Sequence, residues 1–291
     1  MSRSPLRSLW ILALALAAIC FASQSEGAAC VWKVTAPDGK TLYLGGSVHA
    51  LQKRDYPLPP AFLRAFDASS RLAFEVDAKA LEGTTKNLMR AGQYKKGDSL
   101  KNHVDPRTYD YVRRVFSLMN VPEENLQRAR PWLIVLMLQS LSMREMSHDL
   151  GIDQFLMDRA KARGKPVIGL ETVDEHARIY SGLTDRDAEM LLLVTFIPQA
   201  SGGNDRQALM NAWRRGDADA LAGMTRGGFR DFPAFGERLL DARNRAWVPK
   251  IENFVGSGET YFVVVGAAHL GGPQGVLALL RGRGYSIEQL P

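Results

Sequence analysis

The chain has 291 residues, of which 46% are hydrophobic and 23% are charged, and its formal net charge is +6. This near-average composition excludes a disordered chain, a collagen-like repeat and a protein with many membrane spans. The length is compatible with one large domain or two small ones.

The first 29 residues are typical of a secretory signal peptide. Arg3 and Arg7 precede an uninterrupted apolar run over residues 9–22, and small and polar residues follow through Ala29. The run is shorter than the roughly 20 residues that span a bilayer. We predict cleavage after Gly27 or Ala29, export to the periplasm or out of the cell, and no stable transmembrane anchor.

Strands and helices alternate along the rest of the chain. The β-rich runs predict strands at 31–34, 41–44, 71–76, 166–170, 261–265 and 285–289. Apolar residues at helical spacing predict helices at 60–68, 106–119, 131–146, 152–162, 185–197, 235–254 and 275–281. The glycines in 202–205 and 227–228 predict loops.

This alternation predicts an α/β fold in which a mixed, mainly parallel sheet is flanked by helices. We expect one domain over residues 30–291, in which helical insertions at about 80–165 and 180–255 form a cap beside the sheet.

Neither the cysteines nor the basic residues indicate a special partner. Cys20 lies in the predicted signal peptide, so Cys30 is left alone in the mature chain and we expect no internal disulfide. The basic residues are scattered, as at Arg113–Arg114 and Arg214–Arg215. Nucleic-acid binding is usually marked by a basic stripe or a known module, so we expect no nucleic-acid partner.

Two Gly-x-x-His motifs each directly follow a predicted strand. They run from Gly46 to His49 and from Gly266 to His269. In α/β sheets, ligands bind beyond the carboxyl ends of the strands, and a glycine there lets the backbone approach a ligand closely. We therefore predict Gly46 and Gly266 as cofactor-binding positions, and the two histidines as site residues.

Two other predicted strands end in carboxylates, Glu75 and Glu171. Together with His49 and His269 they form a nitrogen and oxygen ligand set for a divalent metal ion such as zinc, manganese or cobalt. Such an ion activates water, and a glutamate that is not a ligand serves as general base. The alternative is that each histidine only caps a strand end through hydrogen bonds.

The same residues carry a resemblance to the TraB/GumN family, which includes the membrane-associated TIKI metalloproteases. This family lies in one superfamily with ChaN-like haem-binding lipoproteins and erythromycin esterases. The resemblance covers nearly all of residues 31–291 and rests on the segments 31–34, 44–49, 74–77, 151–153, 169–172, 243–244 and 265–270. It implies His49 and His269 as metal-site residues and Glu75 as the essential acidic residue.

Arg243 and His176 are the remaining candidates for the site. Arg243, with Asn244, matches an arginine–asparagine pair of the family, and an arginine there can hold a carboxylate or stabilise an oxyanion. The alternative for Arg243 is a salt bridge to Glu75 or Asp77. His176 departs from the family pattern, which has glutamine at this position, so its role stays open.

Three functions remain open at this point. The first, which we favour in the form of a peptidase, is a metal-dependent hydrolase that acts on a peptide or small-molecule substrate. Its catalytic residues would be Glu75, Glu171 and Arg243. The second is a metal-independent, esterase-like hydrolase with His49 as base. The third is a non-catalytic protein that binds haem or another ligand, with His103 as an axial ligand only by elimination.

Overall fold

A computed structural model describes residues 28–48, 51–76, 88–145, 151–196 and 202–291 and confirms the predicted α/β fold. Its six strands are β1 (Val31–Thr35), β2 (Thr41–Ser47), β3 (Arg71–Val76), β4 (Val167–Glu171), β5 (Tyr261–Gly266) and β6 (Ser286–Gln289). Their order in the sheet is β4-β3-β5-β2-β1-β6. The first four strands in this order are parallel, whereas β1 pairs antiparallel with both β2 and β6.

The helices of eight or more residues, with one shorter C-terminal helix, flank this sheet. They are α1 (Pro60–Ala68), α2 (Pro106–Leu118), α3 (Pro131–Glu145), α4 (Ile152–Arg163), α5 (Val173–Ser181), α6 (Asp185–Phe196), α7 (Gly202–Arg214), α8 (Ala218–Gly227), α9 (Ala242–Gly256) and α10 (Val276–Arg281). None of the helices in the described ranges is both long and apolar enough to cross a bilayer.

Local sequence explains where several helices begin and end. A proline opens α2, where its missing N–H is not needed, and the Asp105 side chain caps the same end by accepting from the Arg107 N–H. Thr172 and Glu175 form a reciprocal capping box at the start of α5. Gly164 ends α4 with a φ of 64°, in the left-handed region that favours glycine.

The parallel strands place their carboxyl ends at one edge of the sheet. β5 lies at the centre, and its first five residues are buried. In the pairing register, Ser47 of β2 lies opposite Gly266 of β5, and Val76 of β3 lies opposite Glu171 of β4. This edge is therefore the place where residues that end different strands come together.

The buried apolar residues form two clusters. The sheet core consists of buried residues of β1–β5 together with those of α1, α4 and α7–α10. The helical core is a second cluster, formed by Tyr94, Leu100, Val104, Val112, Phe116, Leu126, Ala129, Trp132, Leu133, Ile134, Val135, Leu138, Ile179, Tyr180, Ala188, Leu191, Leu192 and Phe235. The helices thus divide into a group that covers the sheet and a group that packs mainly on itself.

Three segments differ from the sequence-based expectation. The predicted loop at 202–205 is wrong, because these residues form the first turn of α7, and α8 was not predicted at all. Glycine is costly mainly in a helix interior, so glycines at the ends of α7 and α8 do not prevent these helices. The predicted helix at 235–254 is helical, but a π-helical turn over Glu237–Asp241 interrupts it just before α9.

Candidate active site

The carboxyl edge of the sheet brings together three of the four candidate residues that the sequence places at strand ends. Glu75 is in β3, Glu171 ends β4, and His269 lies in a 3-10 turn directly after β5. Arg243, near the start of α9, lies between them. His49 lies outside the described residues, so its position at this edge stays a prediction.

Arg243 is the centre of this group. Its Nε and Nη2 donate to the two oxygens of Glu171 at 3.1 and 2.7 Å, and Nη2 also donates to Glu75 Oε2. Its Nη1 donates to the Leu239 carbonyl and to His269 Nε2, each at 3.0 Å. These contacts engage all five N–H groups of the guanidinium. The salt bridge to Glu75, which the sequence left as an alternative, is therefore present.

The helix that carries Arg243 explains why the arginine can be buried. The buried residues Trp247, Ile251 and Val255 follow Arg243 at helical spacing and hold α9 against the sheet core. The guanidinium lies 4.5 Å from the centre of the Trp247 ring, and the ring nitrogen of Trp247 donates to Glu171 Oε2 at 3.3 Å. The π-helical turn immediately before α9 is a feature that often occurs at functional sites.

The pKa shifts at this centre follow from burial opposed by close charges. Burial alone would raise the pKa of Glu171, but hydrogen bonds from His176 and Arg243 and the charge of Arg243 hold it below its ordinary value. Burial would likewise lower the pKa of Arg243, and the charges of Glu75 and Glu171 keep it above its ordinary value. The Glu171 carboxylate and the Arg243 guanidinium are thus both held in their charged forms.

His269 is fixed through both ring nitrogens. The Asn244 amide donates to the Gln274 carbonyl, so its oxygen faces His269 and accepts from Nδ1 at 2.7 Å. Nδ1 therefore carries the proton, and Nε2 accepts from Arg243. The imidazole is buried, and its centre lies 4.5 Å from that of the Trp247 ring.

His176, whose role the sequence left open, contacts the same centre. It lies on α5, and its Nδ1 is 2.7 Å from Glu171 Oε1. About a third of its side chain is exposed, whereas Glu171 is 6% exposed. The more buried carboxylate thus orients the more exposed imidazole.

The residues present fit a divalent metal ion by their chemistry. One ligand atom each from Glu75, Glu171 and His176 lies within 4.8 Å of the others. Carboxylate oxygens and an imidazole nitrogen suit zinc, manganese or cobalt. Of the predicted ligands, Glu75 belongs to this trio and His269 does not, whereas His49 lies outside the described residues. An ion on the trio would share carboxylate oxygens with Arg243.

The two glycines predicted to bind a cofactor have different surroundings. Gly46 has Cys30 and Ala267 against it: a methyl group there would lie 2.4 Å from the Cys30 sulfur. Gly46 thus permits close packing between β2 and its neighbours. Gly266 lines the cavity described below, and its N–H donates to Glu75 Oε1 at 2.7 Å. Cofactor binding at both glycines stays a prediction.

A cavity of about 650 Å³ opens beside this centre. Its polar wall includes Glu75, Asp153, His176, Arg243 and His269. Its other walls are mostly apolar and come from both the sheet core and the helical core. A volume of this size is within the usual range for small-molecule and substrate sites.

Sequence reasoning missed Ser47 and Asp153 as cavity residues. The Ser47 side chain is buried, and its Oγ has no hydrogen-bond partner in the described part of the chain. Such a buried, unpaired hydroxyl is unusual in a folded protein. The signals were available, because Ser47 precedes His49 within a Gly-x-x-His motif and Asp153 belongs to one of the segments that carry the family resemblance.

His103 lies in a separate ion cluster. Its Nδ1 is 2.7 Å from Asp185 and its Nε2 is 2.8 Å from Asp98, while its ring stacks on Tyr94 at 4.0 Å. Both nitrogens are therefore engaged by carboxylates, which leaves neither available as an axial ligand of haem.

Comparison with known proteins agrees with the resemblance seen in the motifs. The chain is 24% identical over 255 residues to the uncharacterized protein YbaP of Escherichia coli, an alignment that covers 85% of this chain and 90% of YbaP. It is 23% identical to the metalloprotease TIKI2 of Danio rerio, covering 92% of this chain and 62% of TIKI2. A TIKI homologue of Amphimedon queenslandica is 22% identical, with 89% of this chain and 61% of the homologue covered.

The sequence model of the TraB/PrgY/gumN family matches residues 30–289. The chain therefore belongs to this family. No solved structure matches it.

Proposed function

We propose, starting from this family membership, that the protein is a metal-dependent hydrolase with peptides as its substrates. The observation that carries the proposal is the group of Glu75, Glu171, His176 and His269 around Arg243 beside an open cavity. The metalloprotease names of two relatives support the reaction class.

Of the three residues that can converge on a divalent ion, we propose Glu171 and His176 as its ligands and Glu75 as the general base. We propose that His49 also contributes, as the Gly-x-x-His motif implies. His269 would join them only by exchanging its bond to Arg243 for one to the ion. A bound ion supplies positive charge that acidifies water and polarises a carbonyl group.

Glu75 is the better placed of the two carboxylates to act as general base. Its side chain is 17% exposed, against 6% for Glu171, and it lines the cavity. In the proposed reaction Glu75 takes the proton of the attacking water and passes it to the nitrogen of the leaving amine. Arg243 has no spare donor, so it positions the two carboxylates instead of binding the substrate directly.

Metal content and hydrolysis test this proposal together. We expect the parent protein, purified without chelators, to carry a divalent metal and to cleave a peptide. His176→Ala should lower the metal content, because it removes a ligand. Glu75→Gln keeps the shape of the side chain but not its charge, so turnover should fall by about 10² or more.

His103→Gln is the matched control, because His103 lies in the other ion cluster and should leave metal content and turnover unchanged. A parent protein that binds no divalent metal, or equal metal content in His176→Ala and the parent, contradicts the proposed metal site.

A metal-independent hydrolase is the second candidate. Arg243 already places a positive charge between Glu75 and Glu171, which is part of the work that an ion would do there. This candidate, with His49 or Glu75 as base, requires that full turnover survive complete removal of metal by a chelator. Loss of turnover that is restored by added metal supports the first candidate.

We propose that the protein is exported and that cleavage follows Gly27. Ala29 is buried, and its N–H donates to the Leu290 carbonyl at 2.8 Å, so cleavage after Ala29 would remove a residue of the folded domain. N-terminal sequencing of protein from the periplasm of a Gram-negative host should begin at Ala28. A mature protein that begins at Met1 or Ser2 contradicts export by this route.

A further inference from the structure

The cavity beside Arg243 lies where the two hydrophobic cores meet. On one side, Met157 of α4 and Leu209 of α7 line it and pack against the sheet core. On the other side, Leu136 of α3 and Leu239 line it and pack against the helical core. All four side chains are only half-buried, so the two cores leave apolar surface open between them.

Charged side chains also line the cavity. The charged side chains that line it and are described are Glu75, Asp153 and Arg243, which leave one net negative charge before the imidazoles are counted. These charges do not set the preference, because the proposed divalent ion would offset them. A neutral chain with an apolar branch meets the apolar walls without a desolvated charge.

We propose that this cavity selects peptides with a bulky apolar side chain at the residue beside the cleaved bond. The apolar side chain fills the space between Leu136, Met157, Leu209 and Leu239, and the amide lies beside Glu75. The position of the amide beside Glu75 rests on the proposed hydrolase function. The apolar subsite does not, because it depends only on the side chains that form the cavity walls. A bulky apolar side chain is preferred because it removes more of these half-exposed apolar walls from water than a small one does.

The first experiment measures binding, so that it does not depend on hydrolysis. The probes are the capped peptides acetyl-Gly-Leu-Gly-amide and acetyl-Gly-Ala-Gly-amide, titrated into the full mature protein by calorimetry. We expect the leucine peptide to bind about tenfold or more tightly, because even one buried methylene group in an apolar pocket usually gives about this factor. Equal affinity for the two peptides, or no binding of either, overturns the proposal.

Two variants locate the subsite. Leu209→Ala should reduce the preference for leucine by about tenfold, because Leu209 lines the cavity. Leu279→Ala is its matched control: Leu279 is also half-buried against the sheet core but does not line the cavity. It should leave the preference unchanged. An equal effect of both variants overturns the assignment of the subsite to this cavity.

Hydrolysis of longer peptides with leucine, phenylalanine or alanine beside the scissile bond completes the test. If leucine is preferred in binding but no peptide is cleaved, the proposed function fails and the subsite stands. If peptides are cleaved with no dependence of kcat/KM on this side chain, the function stands and the subsite fails.

Discussion

Two ion clusters with the same arrangement, one basic side chain between two carboxylates, lie in different parts of the molecule. In the first, Arg243 lies between Glu75 and Glu171, and the three side chains are 8, 17 and 6% exposed. In the second, His103 lies between Asp98 and Asp185, and the exposures are 27, 39 and 37%. Each cluster thus has one basic side chain held by two carboxylates.

The difference in burial determines what each cluster can do. A buried guanidinium stays charged at every physiological pH and keeps two carboxylates fixed beside the cavity. A half-exposed imidazole gains and loses its proton near neutrality. The Arg243 cluster is therefore suited to hold catalytic groups in one arrangement, whereas the His103 cluster ties two segments of the helical core together with a strength that depends on pH.

The largest expected effect tests whether Arg243 is as important to the fold as its burial indicates. Arg243→Met leaves Glu75 and Glu171 close together without their cation, so the free energy of unfolding should fall by about 3–5 kcal/mol. Arg245→Met is the control on the same helix, because Arg245 forms an exposed pair with Glu237 and a long hydrogen bond of 3.5 Å to Gln274, so its loss should cost less than about 1 kcal/mol. Urea denaturation measures both.

An Arg243→Met protein as stable as the parent would show that the two carboxylates are not held there as a buried charged pair. The comparison between the two clusters would then lose its physical basis.

The second prediction concerns the pH dependence of the His103 cluster. Hydrogen bonds to Asp98 and Asp185 raise the pKa of His103, although burial opposes them, and Asn102 and His103 lower the pKa of Asp98 to about 2. A raised histidine pKa stabilises the folded state fully below the unfolded value of about 6.5, and this stabilisation is lost as the pH rises through the folded value.

The melting temperature of the parent relative to His103→Gln should therefore be higher at pH 5.5 than at pH 8.5. Arg130, which is 3.7 Å from Asp185, is present in both proteins and should not contribute to the difference between them. A difference between parent and variant that is independent of pH would assign the role of His103 to its stacking on Tyr94 instead of its charge.

The smallest expected effect concerns a pair of equally buried serines. Ser47 Oγ lines the cavity without a partner in the described residues, whereas Ser69 Oγ donates to the Ala65 carbonyl at 2.8 Å. Ser47→Ala should raise the free energy of unfolding by up to about 1 kcal/mol, and Ser69→Ala should lower it by about 1 kcal/mol. Denaturation curves that move in the same direction for both would show that Ser47 has a partner in solution.

Much of the fold follows from local patterns in the sequence. Five of the six strands were predicted within one residue, because alternating and continuous β-rich runs are local signals, whereas β2 extends three residues beyond its predicted end. The position of Glu75 and Glu171 at strand ends indicated that they meet at one edge. The Arg243 salt bridge was foreseen as one of two alternatives.

Other parts of the site depend on packing that local patterns do not encode. Periodicity shows that Leu136 and Leu209 lie on apolar helix faces, but not that they face one another across a cavity. His176 was difficult to interpret because its contact with Glu171 depends on how α5 turns after β4. Helices α7 and α8 were missed because Gly202, Gly203 and Gly227 were interpreted as loop residues, whereas they lie at helix ends.

The position of β5 in the sheet has a consequence for biosynthesis. β5 separates the β3–β4 pair from the β1–β2 pair, yet it is made of residues 261–266 of a chain of 291. Until the ribosome has completed most of the chain, the two pairs have no shared neighbour and their inner edges stay unpaired. A nascent chain therefore cannot complete this sheet until β5 has been synthesised.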